Sequence, residues 1–462
     1  MTVINSFFNS ILFWSAWIII PFIMEIIPSI GSIVVLFKKK RKKIEYRMPD
    51  YVPEISIIIP VYNSGETLEE CIKSLYDSDY PNRAMRVFLV NNEGTDDSFS
   101  VFCKCQEKYP ELMMQWLNAK QGKSKALNLA LFNSEGKYII HIDSDGLLEP
   151  HALTNMIKKF EADESIECVT GTILTDPDQV EAYEKGMPRL FRKLEFMEYA
   201  QAFLAGRNYA AEKNAMYTLS GAFSAFRKDA ILSSQLYSSD TVAEDTQITF
   251  QMKYLQDLKV GICEDAIFFV DPIEGVDKLY TQRQRWQRGS LEVSTLFLKD
   301  DMKVHQLFTD ENVRTLIYDH TFAFPRLIWY LALICLLAAN YAADVIIFAT
   351  LFIFAMYILA GFFYYIAIVG FLKPFDKLRA YYKRQWPVVF LLPFFNFVVF
   401  FIRFAGVINS IDTKSTWKTR GISEEREAFN RTLAEEWSPV IGVYKKIKAY
   451  VNGEKHEVTQ DV

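Results

Sequence analysis

The stretch Tyr138-Ile-Ile-His-Ile-Asp-Ser-Asp-Gly-Leu-Leu-Glu-Pro150 decides how this chain folds. It opens as an apolar run of the length expected for a buried strand. It closes on two carboxylates, Asp143 and Asp145, one small residue apart. On an extended strand, residues i and i+2 point to the same side. Both acids are therefore expected to face one point at the strand's C-terminal edge, where open α/β sheets bind ligands. Gly146 permits a sharp exit, and Pro150 suits the first turn of a following helix. Hard divalent cations take oxygen ligands, and Mg2+ commonly takes one or two carboxylates together with substrate phosphates. The plain alternative is a solvated Asp-Ser-Asp-Gly turn, since such residues are common in turns. The neighbouring segments decide between the two.

Upstream, Ile55-Ser-Ile-Ile-Ile59 reads as a buried strand closed by Pro60-Val-Tyr-Asn63, and Glu66 to Leu75 reads as a helix. Met85 to Val90 is a second strand ending in Asn91-Asn-Glu-Gly-Thr-Asp96, and Met113 to Leu117 is a third. Gly122 to Leu131 opens a helix just before the Asp143 strand. Strands alternating with helices imply βαβ units and a mostly parallel sheet. Downstream, Ile166 to Ile173 reads as another strand and Pro188 to Arg207 as a helix. Thr218 to Arg227 is small and apolar, with Gly221 allowing close backbone approach to a ligand. Ala243-Glu-Asp-Thr246 heads a helical stretch to Leu255. Acids at a helix start also complement its dipole, which is the structural alternative for Glu244 and Asp245. Two short strands come next, then a charged helix carrying Gln282-Arg-Gln-Arg-Trp-Gln-Arg-Gly289.

The flanks read differently. Half of the 462 residues are hydrophobic and 15% aromatic, heavy for a wholly soluble protein, yet 23% are charged, so a soluble part must exist. The net charge of −5 argues against a nucleic-acid partner. The six cysteines are scattered and complete no zinc site; they read as reduced thiols. Phe7 to Phe37 is almost wholly apolar and long enough to cross a bilayer. Lys38-Lys-Lys-Arg-Lys-Lys43 follows it, and the positive-inside rule then puts the next domain in the cytoplasm. Beyond Gly289 the chain stays amphipathic to about Asp319, as a surface helix would. Three apolar segments follow, Phe322–Asn340, Val345–Leu372 and Pro387–Ile408, with a cation-rich loop from Lys373 to Arg384. One span before the domain and three after it would leave the C-terminus outside, yet the cations of the tail favour the inside. A re-entrant or interfacial segment would resolve this. The expected layout is an N-terminal span and basic stop (1–43), a cytoplasmic α/β domain (44–290), interfacial helices (291–320), membrane segments (321–411) and a charged tail (412–462). The expected location is the cell membrane, with several passes.

Four features stand in order: a first strand and turn ending in Asn63, Asp143-Ser-Asp145, Glu244-Asp245, and Gln282-x-x-Arg285-Trp286. This order and spacing resemble glycosyltransferase family 2. The resemblance is strongest to its membrane-embedded branch of cellulose, hyaluronan, chitin and poly-N-acetylglucosamine synthases. The N-terminal layout is also similar to a Gram-positive, exosortase-associated subgroup. The resemblance implies an α/β fold of the GT-A type, with α-helical transmembrane segments on both sides of a cytoplasmic domain. It implies inverting transfer from a nucleotide sugar, expected to be a UDP-sugar, to a growing glycan or a lipid acceptor.

Carried over by position, Asp145 and Asp143 would bind a Mg2+ or Mn2+ ion that holds the donor diphosphate. Asp245 would be the base that takes the acceptor's proton, with Glu244 orienting it. Pro60, Tyr62, Asn91, Asn92, Lys123 and Asp143 would line the donor nucleotide. Gln282, Arg285 and Trp286 would bind acceptor and diphosphate; on a helix these three share a face. His141 is expected to be only a strand residue.

One departure stands out. Family members commonly carry Asp-Asp-Gly-Ser where this chain has Asn91-Asn-Glu-Gly94. An Asn amide can still donate to and accept from a uracil edge, and Asp96 is a candidate substitute. Three functions compete: a processive synthase, a transferase adding one sugar to a lipid or lipid-linked acceptor, and a silent sugar-nucleotide-binding subunit. Few spans are on hand for a polymer pore, so the first implies a second copy or an accessory membrane subunit.

Overall fold

The computed structural model describes residues 26–41, 46–239, 241–298 and 343–412, apart from a few isolated positions. Most of the Phe7–Phe37 span, Lys42 and Lys43, most of the amphipathic region between Gly289 and Asp319, nearly all of Phe322–Asn340 and the tail beyond Asp412 lie outside the described residues.

One eight-stranded sheet organises the catalytic part. Its strands are β1 (Ile55–Val61), β2 (Met85–Asn91), β3 (Met113–Asn118), β4 (Tyr138–Ile142), β5 (Gly146–Leu148), β6 (Ile166–Thr175), β7 (Phe223–Arg227) and β8 (Lys259–Val270). Their spatial order is β3-β2-β1-β4-β7-β6-β8-β5. The first half is parallel: β1 pairs with β2 and β4, and β2 with β3. The second half is mixed, with β7 antiparallel to both β4 and β6, and β5 antiparallel to β8. The expected strands are present. The two short strands foreseen before the last charged helix are instead one long strand, β8, whose pairing with β6 shifts register.

The parallel half is buried on both faces, so its strands read as near-continuous apolar runs. Ile57 and Ile59 pack beneath Leu68, Cys71, Leu75 and Phe102 on one face. Ile58 packs against Ala126, Leu127 and Leu131 on the other. Each such fully buried aliphatic side chain contributes about 1.5–3 kcal/mol. After β1 the chain steps outward to β2 and β3, then returns to place β4 on the other side of β1. The C-terminal ends of β1 and β4 therefore flank a topological switch point, the crevice where such sheets bind ligands.

Around this sheet lie the helices Met187–Tyr199 and Val276–Leu298, and the apolar helices Ala343–Phe371 and Leu392–Asp412. Within the third, Ile346–Phe371 is 26 residues long and is the one helix among the described residues long and apolar enough to cross a membrane. At 1.5 Å per residue it spans about 39 Å, more than a bilayer's hydrocarbon core. Leu392–Ile408 is apolar but shorter. The N-terminal helix Ile27–Arg41 joins them, its Leu36 sharing a buried cluster with Phe196, Leu204, Ile368 and Val399. Its Lys39 enters the catalytic part, donating to Asn208 Oδ1 at 2.5 Å and pairing with Glu212 and Glu264 at 3.5 and 3.6 Å.

Candidate active site

β4 ends at Ile142, so Asp143 and Asp145 sit in the turn leading to β5 rather than on the strand itself. The expected same-side alternation stops there, because β4's pairing with β7 ends at Ile142 and the chain leaves for the far edge of the sheet. The turn is pinned from two sides. Ser144 Oγ lies 2.7 Å from Ser64 Oγ, and Thr67 Oγ1 donates to the Ser144 carbonyl at 3.0 Å. Across the crevice, Asp143 N donates to Ala222 O at 3.1 Å.

The two acids consequently differ. Asp143 accepts from Lys123 Nζ at 2.5 Å. Asp145 is exposed and has no ion pair among the described residues. The protein crowding Asp145 and the charge of Asp143 together push its carboxyl up to about 6. A carboxylate at a crevice with no cation of its own, beside a second carboxylate, is a donor set that fits a hard divalent ion.

Lys123 opens the helix Lys123–Asn133, directly after Gly122. Its ammonium donates to Gly221 O at 3.1 Å and pairs with Glu244 Oε1 at 3.6 Å, besides its bond to Asp143. Burial alone would lower its pKa, but the charges of Asp143 and Glu244 outweigh burial and hold it above its usual value. Glu244 moves upward, chiefly from burial and against the pull of Lys123. One cation thus joins the two acid motifs, which lie about a hundred residues apart in the chain.

Asp245 lies in the first turn of the helix Glu244–Phe250. Its Oδ2 accepts from Gly221 N at 3.0 Å and its Oδ1 from Thr246 N at 2.7 Å. The capping alternative is thus partly realised, while the Gly221 bond turns the carboxylate toward the crevice loop. A side chain at residue 221 would put its Cβ 3.1 Å from Asp245 Oδ2, so glycine here serves close approach to the acid itself. The loop is lashed down by Leu219 N on Thr249 Oγ1 at 2.9 Å and Thr246 Oγ1 on Thr218 Oγ1 at 3.0 Å.

The remaining expected residues divide. Tyr62, the residue after β1, is 51% exposed. Pro60 is half-buried near the end of β1. Asn91 and Asn92 are occupied within the loops: Asn91 donates to Asn118 Oδ1 at 3.1 Å and accepts from Gly94 N at 3.0 Å. Asn92 is buried and accepts from Gly122 N at 2.7 Å. These bonds fix the orientation of both side chains and use one acceptor site on each, with one Asn91 N–H besides. Asp96 is exposed and accepts from Gly65 N at 2.7 Å through Oδ2 and from Ser98 Oγ at 2.6 Å through Oδ1, which fixes its carboxylate on the loop after β2. His141 is buried and bonded through Nδ1 to the Tyr237 hydroxyl at 2.8 Å. Burial and then Lys123 bring it down to about 4, so it stays neutral as a strand residue.

On the helix Val276–Leu298, Trp286 is half-buried beside Phe203, ring centroids 5.9 Å apart, and Tyr199, 6.4 Å apart. Gln282 Oε1 is buried with no hydrogen-bond partner among the described residues. Arg285 is exposed. Sequence reasoning missed Arg283, which is 2% exposed. It pairs with Glu198 at 2.5 Å and its guanidinium lies 4.3 Å over Trp286. Its signal was the buried stripe Leu279, Arg283, Gln287 at helical spacing. Gly289 on the same helix is packed so tightly that a Cβ would sit 2.5 Å from that of Ala243, the residue before Glu244.

A mixed sheet with a switch point between β1 and β4, two acid motifs joined by a lysine and an aromatic helix alongside define a GT-A-like sugar-transfer domain. Residues 56–232 match the family model described as Glycosyl transferase family 2, and the chain carries a glycosyltransferase domain of that family. The chain is homologous to the poly-beta-1,6-N-acetyl-D-glucosamine synthase of Staphylococcus epidermidis, 24% identical over 293 residues that cover 62% of this chain and 66% of that protein. The synthase of the same name from Staphylococcus aureus (strain COL) is 23% identical over 291 residues, with the same coverage. The match thus spans just under two thirds of these relatives' length. Among solved structures, the mannosyltransferase PcManGT from Pyrobaculum calidifontis, in complex with GDP-Man and Mn2+, shares the fold. It superposes with a TM-score of 0.56 at 18% identity, over 82% of this chain and 98% of that one.

Proposed function

We propose that this protein is a membrane-bound, inverting glycosyltransferase that extends a polysaccharide from a nucleotide sugar, with UDP-N-acetylglucosamine the first donor to test. The observation that carries this reading is the bridge from Asp143 through Lys123 to Glu244, with Asp245 held beside it by Gly221 N. It brings Asp143, Lys123, Glu244 and Asp245 together, which supports reading the turn as the cation site, Lys123 as the donor-side cation and Asp245 as the proton acceptor. The synthases named above and the half-buried Trp286 favour a polymeric product, since a flat ring is a surface on which successive sugars stack.

In this mechanism Asp245 accepts the acceptor hydroxyl's proton as that oxygen attacks the anomeric carbon; a positioned base of this kind contributes about a hundred- to ten-thousandfold. Gly221 N and Thr246 N fix its orientation, and Glu244 shares the charge of Lys123. Lys123 and Arg285 face the diphosphate, the latter as a fork. Asp145, with Asp143, would hold Mg2+ or Mn2+, which neutralises charge on the departing nucleoside diphosphate when bound. Tyr62 packs on the base. The bilayer anchors the enzyme through Ile346–Phe371 and the N-terminal helix, with the basic run keeping the domain cytoplasmic.

The test is direct. Purified protein is incubated with UDP- and GDP-sugars and Mg2+ or Mn2+, and the product is sized. A ladder or polymer supports the reading. A single-sugar glycolipid replaces it with one-step transfer to a lipid, and no transfer from any donor leaves only a binding subunit.

A further inference from the structure

Arg207 is a buried cation that none of the motifs above includes. It is 8% exposed and follows Ala200–Gly206, a seven-residue π-helical segment inside an otherwise α-helical stretch. Such segments are rare and recur at functional sites. Its guanidinium does two things. It lies 4.6 Å over the Phe203 ring, and Phe203 meets Trp286 edge to face. It also donates from Nη1 to Thr170 Oγ1 at 3.2 Å. That hydroxyl accepts Ser220 N at 3.0 Å, and the next residue's amide, Gly221 N, holds Asp245. Burial brings Arg207 down to about 10, against the charge of Asp245, so it remains cationic at neutral pH.

Resting on the sugar-transfer reading above, we propose that Arg207 is a positioning residue that sets the distance between the stacking face of Trp286 and the carboxylate of Asp245. One side of its planar guanidinium supports the aromatic pair. An edge fixes Thr170 and, through Ser220, the loop that aims the base. A flat, permanently charged fork can serve both at once, whereas an ammonium cannot. The residue touches neither donor nor base directly in this arrangement. Its removal should therefore disturb turnover more than donor affinity.

The experiment compares Arg207→Met, Thr170→Val and the double variant with wild type, measuring kcat and the donor KM with UDP-N-acetylglucosamine. Titration with UDP alone and thermal melting run in parallel. Expected are a kcat loss of tenfold or more in each single variant, a donor KM and UDP affinity within about twofold of wild type, and a double variant no slower than Arg207→Met. The last outcome follows because both changes break one relay. Thr170→Val is near-isosteric, so it tests the relay even where Arg207→Met folds poorly. An active wild type whose variants keep kcat within twofold, lose donor affinity in step with kcat, or combine multiplicatively overturns the role of Arg207 alone. A wild type inactive with every nucleotide sugar removes the sugar-transfer reading and this role with it.

Discussion

Lys123 is the residue through which the two acid motifs meet. Its ammonium touches Asp143, Gly221 O and Glu244 at 2.5, 3.1 and 3.6 Å, with the side chain only 16% exposed. Removing one partner of a buried charge group leaves the others uncompensated, which costs about 3 kcal/mol. Lys123→Met should therefore lower the urea midpoint and raise the donor KM at least tenfold, while Lys123→Arg keeps most stability. A methionine variant as stable as wild type would show that the bridge does not form. Glu195 gives a separate handle. It is 1% exposed, accepts Ile273 N at 2.9 Å, and faces Arg283, Glu198 and Arg192. Burial pushes its carboxyl up to about 7. The folded state thus binds its proton more tightly than the unfolded chain. The stabilisation is complete below the ordinary carboxylate pKa of 4.5 and fades as pH rises toward 7. At about 1.4 kcal/mol per unit the total is at most about 3 kcal/mol. Melting curves between pH 5 and 8 should flatten in Glu195→Gln relative to wild type. Parallel curves would contradict the assigned protonation.

At the scale of elements, the helix Val276–Leu298 does more than present Gln282, Arg285 and Trp286. It seats the loop before Asp245, the proposed base. A Cβ on Gly289 would press on that of Ala243 at 2.5 Å, far inside normal contact. Gly289→Ala should displace Glu244 and Asp245 and reduce kcat about tenfold or more, and Ala243→Gly in the same protein should restore part of it. Full activity in Gly289→Ala would mean that the loop can yield without harm. The sequence showed this helix and its motif, but not its buried side. Periodicity places Gln282, Arg285 and Trp286 on one face, yet it does not say that Arg283 is the arginine held over the tryptophan. The antiparallel strand β7 was read only as a small, apolar stretch, because Thr218 to Arg227 mixes a loop and a short strand with no clean alternation. The parallel strands were legible because both their faces are buried and their apolar runs are unbroken. Asn91 and Asn92 were readable as a departure from the family pattern. That their amides hold loops together depends on Asn118, Gly94 and Gly122, which no local motif connects to them.

Over the whole molecule, the N-terminal helix is fastened to the catalytic part and not merely tethered by it. Lys39 is 14% exposed, bound to Asn208 and paired with Glu212 and Glu264, and Asn208 directly follows Arg207. The cationic run thus contributes a structural contact to the sheet domain, beside the sidedness proposed for it. Lys39→Glu should lower the melting temperature by several degrees and reduce activity, whereas reversal of the adjacent Lys38 should do little. Equal effects at both positions would point to overall charge instead of the bond. The account as a whole rests on Asp245 serving the sugar that the Asp143–Asp145 turn helps to hold. The most direct measurement is the initial rate of sugar transfer by Asp245→Asn beside its affinity for the donor. The expected result is a rate at least a hundredfold below wild type, in line with a lost base, with donor affinity within about threefold. A variant that keeps more than a tenth of the wild-type rate, or that loses donor binding along with it, would contradict the account.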